Sequence, residues 1–151
     1  MQRHKYPLIV WILCFLLLGD LALIAYGTWN YQRIINARVK VVKIGVDVWW
    51  DADKTNNTQF IDWGFLLPGE NKTYILYIES NGTYPHTLIS MTTHSWNPVT
   101  DQIILTWDAE GYVLGKGEML PANFTLSVDP DITGIDEFNF IIVIEGSKGN
   151  R

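Results

Sequence analysis

The 151-residue chain carries a net charge of −5, one cysteine and 48% hydrophobic residues. The charge is divided, with six Lys or Arg against one Asp in residues 1–43 and five against fifteen acids in residues 44–151. An acidic main body repels phosphate backbones and argues against nucleic-acid binding, and the lone Cys14 excludes a disulfide framework or a thiolate metal cluster.

Residues 1–6 are expected to form a cytoplasmic N-terminus, followed by the apolar run PLIVWILCFLLLGDLALIAYG at 7–27. As a helix this run is about 31 Å long, close to the hydrocarbon thickness of a bilayer. It is predicted to be a transmembrane signal anchor. Asp20 costs about 2.5–3.5 kcal/mol near mid-bilayer, but the surrounding Leu, Ile, Val and Phe return roughly 0.3–0.6 kcal/mol each, so insertion wins. Asp20 is a candidate for contact with a polar group on a partner membrane helix; the plainer reading is a protonated or snorkelling carboxyl. A cleaved signal peptide is the competing reading, since Ala25-Tyr26-Gly27 puts small residues at a cut. The run exceeds the usual apolar length and lacks Ala-x-Ala, which favours the anchor.

Residues 28–37 read as a juxtamembrane collar, with Trp29 and Tyr31 suited to the interface. Arg33 in it, with Arg38, Lys40 and Lys43 just after it, can meet anionic membrane lipid or simply be solvated. The flanking charges do not by themselves set the orientation. Four sequons, beginning at Asn56, Asn71, Asn81 and Asn123, point to an extracytoplasmic location and are the candidate glycosylation sites.

The remainder, 38–151, is expected to be an all-β domain. Val42, Ile44, Val46 and Val48 alternate with Lys43, Gly45, Asp47 and Trp49, which predicts one half-buried strand. The cluster DADKTNNT at 51–58 is a turn, and a strand is expected over 59–67. Pro68-Gly69-Glu70 reverses the chain, since proline presets φ and glycine supplies a positive one. Further strands are predicted over 72–79, 87–93, 102–107, 123–128 and 137–145, the last with Phe138, Phe140, Ile142 and Ile144 on one face. About seven short strands at regular spacing predict an immunoglobulin-like β-sandwich behind one transmembrane helix.

The stretch IDWGFLLPGENKTYILYIESNGTYPHTLISMTTHSWNP, with ILTWD and LPANFTLSVDPDITGIDEFNF after it, resembles short archaeal surface proteins with a membrane anchor and one immunoglobulin-like sandwich. Asp62-Trp63-Gly64, Pro68-Gly69-Glu70 and the following strand and Asn-Gly turn also resemble modules of archaeal bundling pili and TasA-like fibre subunits. The fibre resemblance implies assembly by donation of a strand into a neighbour, and the uncut anchor departs from it. Archaellum stator proteins are similar in architecture alone.

No convergent catalytic set is visible. His86 and His94 flank one predicted strand, and the serines show no nucleophile elbow. Asp51, Asp53, Thr55, Asn57 and Asp62 fall at calcium-loop spacing, but Asn56 replaces the required glycine, so a polar hairpin turn is the simpler reading. No enzyme activity, metal or cofactor is expected. Among seven tryptophans, Trp49 and Trp96 are expected to be exposed and are the glycan-stacking candidates. The function expected is that of a single-pass cell-membrane protein acting in structural or protein–protein interaction at the cell surface, with an envelope protein or a second copy as partner. Strand addition is expected at an edge near residues 39–50. The alternatives are a module for a surface glycan and an accessory subunit of a membrane complex.

Overall fold

A computed structural model describes residues 34–149; the predicted span at 7–27, Asp20 and the collar up to residue 33 lie outside the described residues. Nine strands occur: β1 (Ile35–Ile44), β2 (Val46–Trp49), β3 (Phe60–Leu66), β4 (Asn71–Ser80), β5 (His86–Asn97), β6 (Ile103–Trp107), β7 (Val113–Gly115), β8 (Met119–Val128) and β9 (Glu137–Lys148). They form two sheets, ordered β3-β1-β9-β5-β7 and β2-β4-β8-β6. Among the described residues there is no helix long and apolar enough to cross a membrane.

Alternation builds the core. Ile35, Ala37, Val39 and Val41 of β1 point inward beside Phe138, Phe140, Ile142 and Ile144 of β9. Leu76 and Ile78 of β4 and Phe124 and Leu126 of β8 bury the inner face of the second sheet, and Trp63 is fully enclosed. Each such side chain contributes on the order of 1.5–3 kcal/mol relative to exposure, and this burial does the work that disulfides do in many external domains.

The expected strand through Val42 and Val48 is two strands in different sheets. Gly45, at φ +71°, turns the chain out of β1 and into β2. Side-chain parity flips there, so Val46 and Val48 are buried while Ile44 is 49% exposed. The alternation visible in the sequence runs through this break because one left-handed residue leaves the polar–apolar spacing intact. The crossing is close: Gly45 passes Gly146 of β9 so tightly that a Cβ on either would meet the backbone of the other within about 3 Å.

Two further differences follow from long-range pairing. β1 begins at Ile35, so residues 35–37 of the stretch read as collar are strand. In the immunoglobulin order the last strand pairs with the one before it. Here β9 pairs in parallel with β1 and antiparallel with β5, while β8 lies in the opposite sheet. The architecture is a two-sheet all-β sandwich with a different strand order from the one expected.

Candidate strand-addition edge

Each sheet has two outermost strands, and an outermost strand offers unpaired backbone groups to another chain. β1 is not one of them: β3 pairs it over residues 35–40 and β9 over residues 36–44, so residues 36–40 have a neighbour on both sides and cannot take an added strand. Of the region 39–50 where strand addition is expected, the first residues are paired on both sides, and β2 is its outermost strand.

β2 is covered. Val48 O accepts the Thr58 N–H at 2.8 Å, Trp50 N–H donates to Asn56 O at 2.9 Å, and Trp49 bridges Asn57. The loop that covers β2 is held by Asp51, whose carboxylate accepts Thr55 N–H at 2.9 Å, Thr55 Oγ1 at 3.0 Å and Asn56 N–H at 2.9 Å. Those bonds, the Thr55 N–H first, hold its pKa below the ordinary value. Of the residues at calcium-loop spacing, Asp51 and Thr55 thus belong to a hydrogen-bonded loop, while Asp62 lies on β3 and accepts the Gly64 N–H.

β3 is capped from the facing sheet. Tyr74 Oη donates to Asp62 O at 3.2 Å and Lys72 Nζ donates to Trp63 O. Gly64, at φ +65°, places a bulge between them and donates to Asp62 Oδ1 at 2.8 Å. β7 is three residues long, and its outward Gly115 N–H donates to Glu118 Oε2 at 2.6 Å. A side-chain cap, a bulge and a very short strand are the usual devices that blunt an edge.

Inner strands that outrun their neighbours are mostly covered as well. β8 extends past the end of β6, and there Asn123 N–H is taken by Asp108 Oδ1 at 2.8 Å. Pro121, two residues earlier on the same side, has no N–H to leave open. Asn123 Nδ2 donates to Asp108 Oδ2 at 2.5 Å, and this side-chain bond leads the effects that lower the Asp108 pKa. Past β7, Met91 N–H on β5 is taken by Glu110 Oε2 at 3.0 Å. Below the end of β2, the stretch Asn71–Ile75 of β4 stays open, on a strand whose remaining length β2 covers.

β6 is different. Val128 bonds toward β4 through Glu70 and Gly69, while Asp129 N–H donates to Gln102 O at 2.8 Å. Backbone direction alternates along an antiparallel ladder, so Ile104 and Thr106 bond β8, and Ile103, Leu105 and Trp107 turn their N–H and C=O groups outward. No backbone or side-chain group among the described residues caps them. The side chain of Ile104 is 55% exposed at this edge, and Val99 in the preceding loop is 89% exposed. Asp101 stands before the strand, and Asp108 and Glu110 follow it, so the open backbone is bracketed by carboxylates.

The other predicted residues fall elsewhere. All four sequon asparagines are exposed. Asn71 and Asn123 share the outer face of the β2-β4-β8-β6 sheet, where the hydroxyls of their sequon threonines, Thr73 and Thr125, lie 2.8 Å apart. Asn81 Nδ2 donates to Asp47 Oδ2 at 2.9 Å. Trp49 and Trp96 are half-buried rather than exposed. Trp96 stacks on Phe140 at 3.8 Å and donates to Thr93 Oγ1, and Trp49 Nε1 is buried, so neither ring is a free stacking platform. The sequence signal for β6 was present in its outward Ile104 and short length, but outermost position is a property of pairing. No family model, curated protein or solved structure matches the chain.

Proposed function

We propose that this protein is a single-pass, membrane-anchored cell-envelope module. Its sandwich stands outside the membrane and binds another envelope protein by accepting an extended segment along β6. The observation that carries this reading is the contrast between edges: β2, β3 and β7 each carry a loop, lysine, tyrosine or glutamate cap, and no cap lies on β6 among the described residues. The partner segment is an extended strand with basic residues at its ends, because Asp101, Asp108 and Glu110 bracket the site. Those carboxylates also disfavour antiparallel pairing of β6 with β6 of a second copy, where acids would face acids. The anchor at 7–27 and the four sequons support placement at the outer face of the cell membrane, with Asp20 available to a membrane partner.

Photo-crosslinking in the full-length chain, extracted in mild detergent, tests the reading. A crosslinking residue at Thr106 is expected to capture a stoichiometric partner, and one at Phe65, on β3, is not. Ile104→Lys is expected to abolish capture while leaving the melting temperature within about 2 °C, since exposed substitutions cost little. Capture at Phe65 alone, or full capture by the Ile104→Lys variant, overturns strand addition at β6. Intact-mass measurement of the native protein tests the envelope reading separately: retention of residues 1–27 and added glycan mass are expected. A cleaved, unmodified chain would defeat that placement.

A further inference from the structure

A second surface, independent of the β6 edge, lies on the outer face of the five-stranded sheet. Seven Lys or Arg stand against fifteen Asp or Glu between residues 34 and 149, yet two of those cations, Arg38 and Lys40, project from the same face of β1. Residues two apart on a strand lie about 7 Å apart on one face. Neither has an ion-pair partner among the described residues. Asp62, in register opposite Arg38, turns its carboxylate to the Gly64 N–H instead. The Arg38 guanidinium lies over the Phe60 ring, 5.1 Å from its centre, and Phe60 is 45% exposed.

These groups line a shallow groove of about 450 Å³, with Glu137, Asn139 and Ile141 of β9 forming the opposite wall. The volume falls within the range of small-ligand sites, roughly 300–1,000 Å³. Four chemistries converge there: two free cations, one aromatic ring, one amide and one carboxylate. The cations select an anion. Glu137 penalises a ligand of high charge density, because its own charge repels it, but it accepts hydrogen bonds from hydroxyl groups. Asn139 both donates and accepts, and Phe60 offers apolar contact to the C–H face of a ring. A phosphate satisfies the first of these and is opposed by Glu137. A neutral sugar leaves Arg38 and Lys40 without a partner.

We propose that this groove binds a carboxylate-bearing, hydroxyl-rich sugar, a uronic acid unit of an acidic glycan. The sugar carboxylate lies between Arg38 and Lys40, its hydroxyls reach Glu137 and Asn139, and its ring packs on Phe60. This site differs from the Trp49 and Trp96 platforms expected from the sequence, and it does not depend on strand addition at β6.

Titration of the full-length chain, in a neutral detergent, with trigalacturonate, maltotriose and inorganic phosphate tests the assignment. Trigalacturonate is expected to bind with saturable heat and to shift amide signals of residues 38–40 and 137–141, while maltotriose does not. Charge-assisted hydrogen bonds dominate such sites, so Arg38→Gln and Lys40→Gln are each expected to weaken binding at least tenfold. Both side chains are exposed, and unchanged melting temperatures will show that these variants fold. Glu137→Gln is expected to narrow the preference for the uronate over phosphate. The assignment is overturned if trigalacturonate does not bind, if the Arg38→Gln, Lys40→Gln double variant binds it as well as the parent, or if phosphate binds the parent equally tightly. It is also overturned if the two cations affect only association with phosphatidylglycerol nanodiscs, which would make them a lipid contact.

Discussion

Gly45→Ala tests the step that carries the chain between the two sheets. Gly45 has φ +71°, and a Cβ there would lie 2.7 Å from the carbonyl oxygen of Gly146. Alanine in the left-handed region costs about 1–2 kcal/mol. Forcing β9 away from the crossing adds about 1–3 kcal/mol, as for other overpacked sites. The stiffer unfolded chain returns roughly 0.4–1 kcal/mol. The net loss is about 2–3 kcal/mol, and at ~4 °C per kcal/mol for a domain of this size the melting temperature should fall by roughly 10 °C. Gly117→Ala is the matched control. Its φ is +72°, but nothing lies within 4 Å of the added Cβ. Only the left-handed cost applies there, less the unfolded-state gain, for about 1 kcal/mol and roughly 4 °C. Tryptophan fluorescence during heating of the full-length chain in mild detergent measures both. If Gly45→Ala melts no lower than Gly117→Ala, the close crossing of β1–β2 over β9 is wrong.

Three other outcomes follow from named contacts. Ser80 and Thr87 are buried and share a hydrogen bond of 2.6 Å, so Ser80→Ala should cost about 1–3 kcal/mol by stranding Thr87 Oγ1, and adding Thr87→Val should recover much of that in denaturant melts. Lys72→Met removes the cap on Trp63 O; light scattering on warming should show earlier aggregation than in the parent, through the uncovered β3 edge. Asp51 and Asp108 both have native pKa values below the ordinary 3.8, so the stability they confer is fully present above about pH 4 and is lost as pH falls through the native values. Melting temperature against pH from 5 to 2 should therefore drop more steeply in the parent than in an Asp51→Asn, Asp108→Asn double variant.

Much of the sandwich was legible in the sequence because strand alternation is local. Phe138, Phe140, Ile142 and Ile144 are buried on one face of β9 as their spacing predicts, and Pro68-Gly69 turns the chain between β3 and β4, with Gly69 at φ +78°. β7 was not legible, because three residues between Gly111 and Gly117 are too short to carry a period. The groove was hidden for a different reason: Arg38 and Lys40 stand in the sequence among the basic residues of 1–43, and their neighbours Phe60 and Asn139 lie far away in the chain.

By itself the sequence determined the all-β character of residues 34–149, the sites of most turns, and the faces that would be buried within single strands. Each of those depends on residues a few positions apart. Only the tertiary structure decided which strands lie at sheet margins, that β9 runs parallel to β1, and that Gly45 divides one apparent strand between two sheets. Pairing partners are chosen by packing across the whole chain, and one glycine with positive φ reverses side-chain parity without disturbing the pattern on either side of it. The bare edge of β6 and the uncovered cations of β1 both arise at that level.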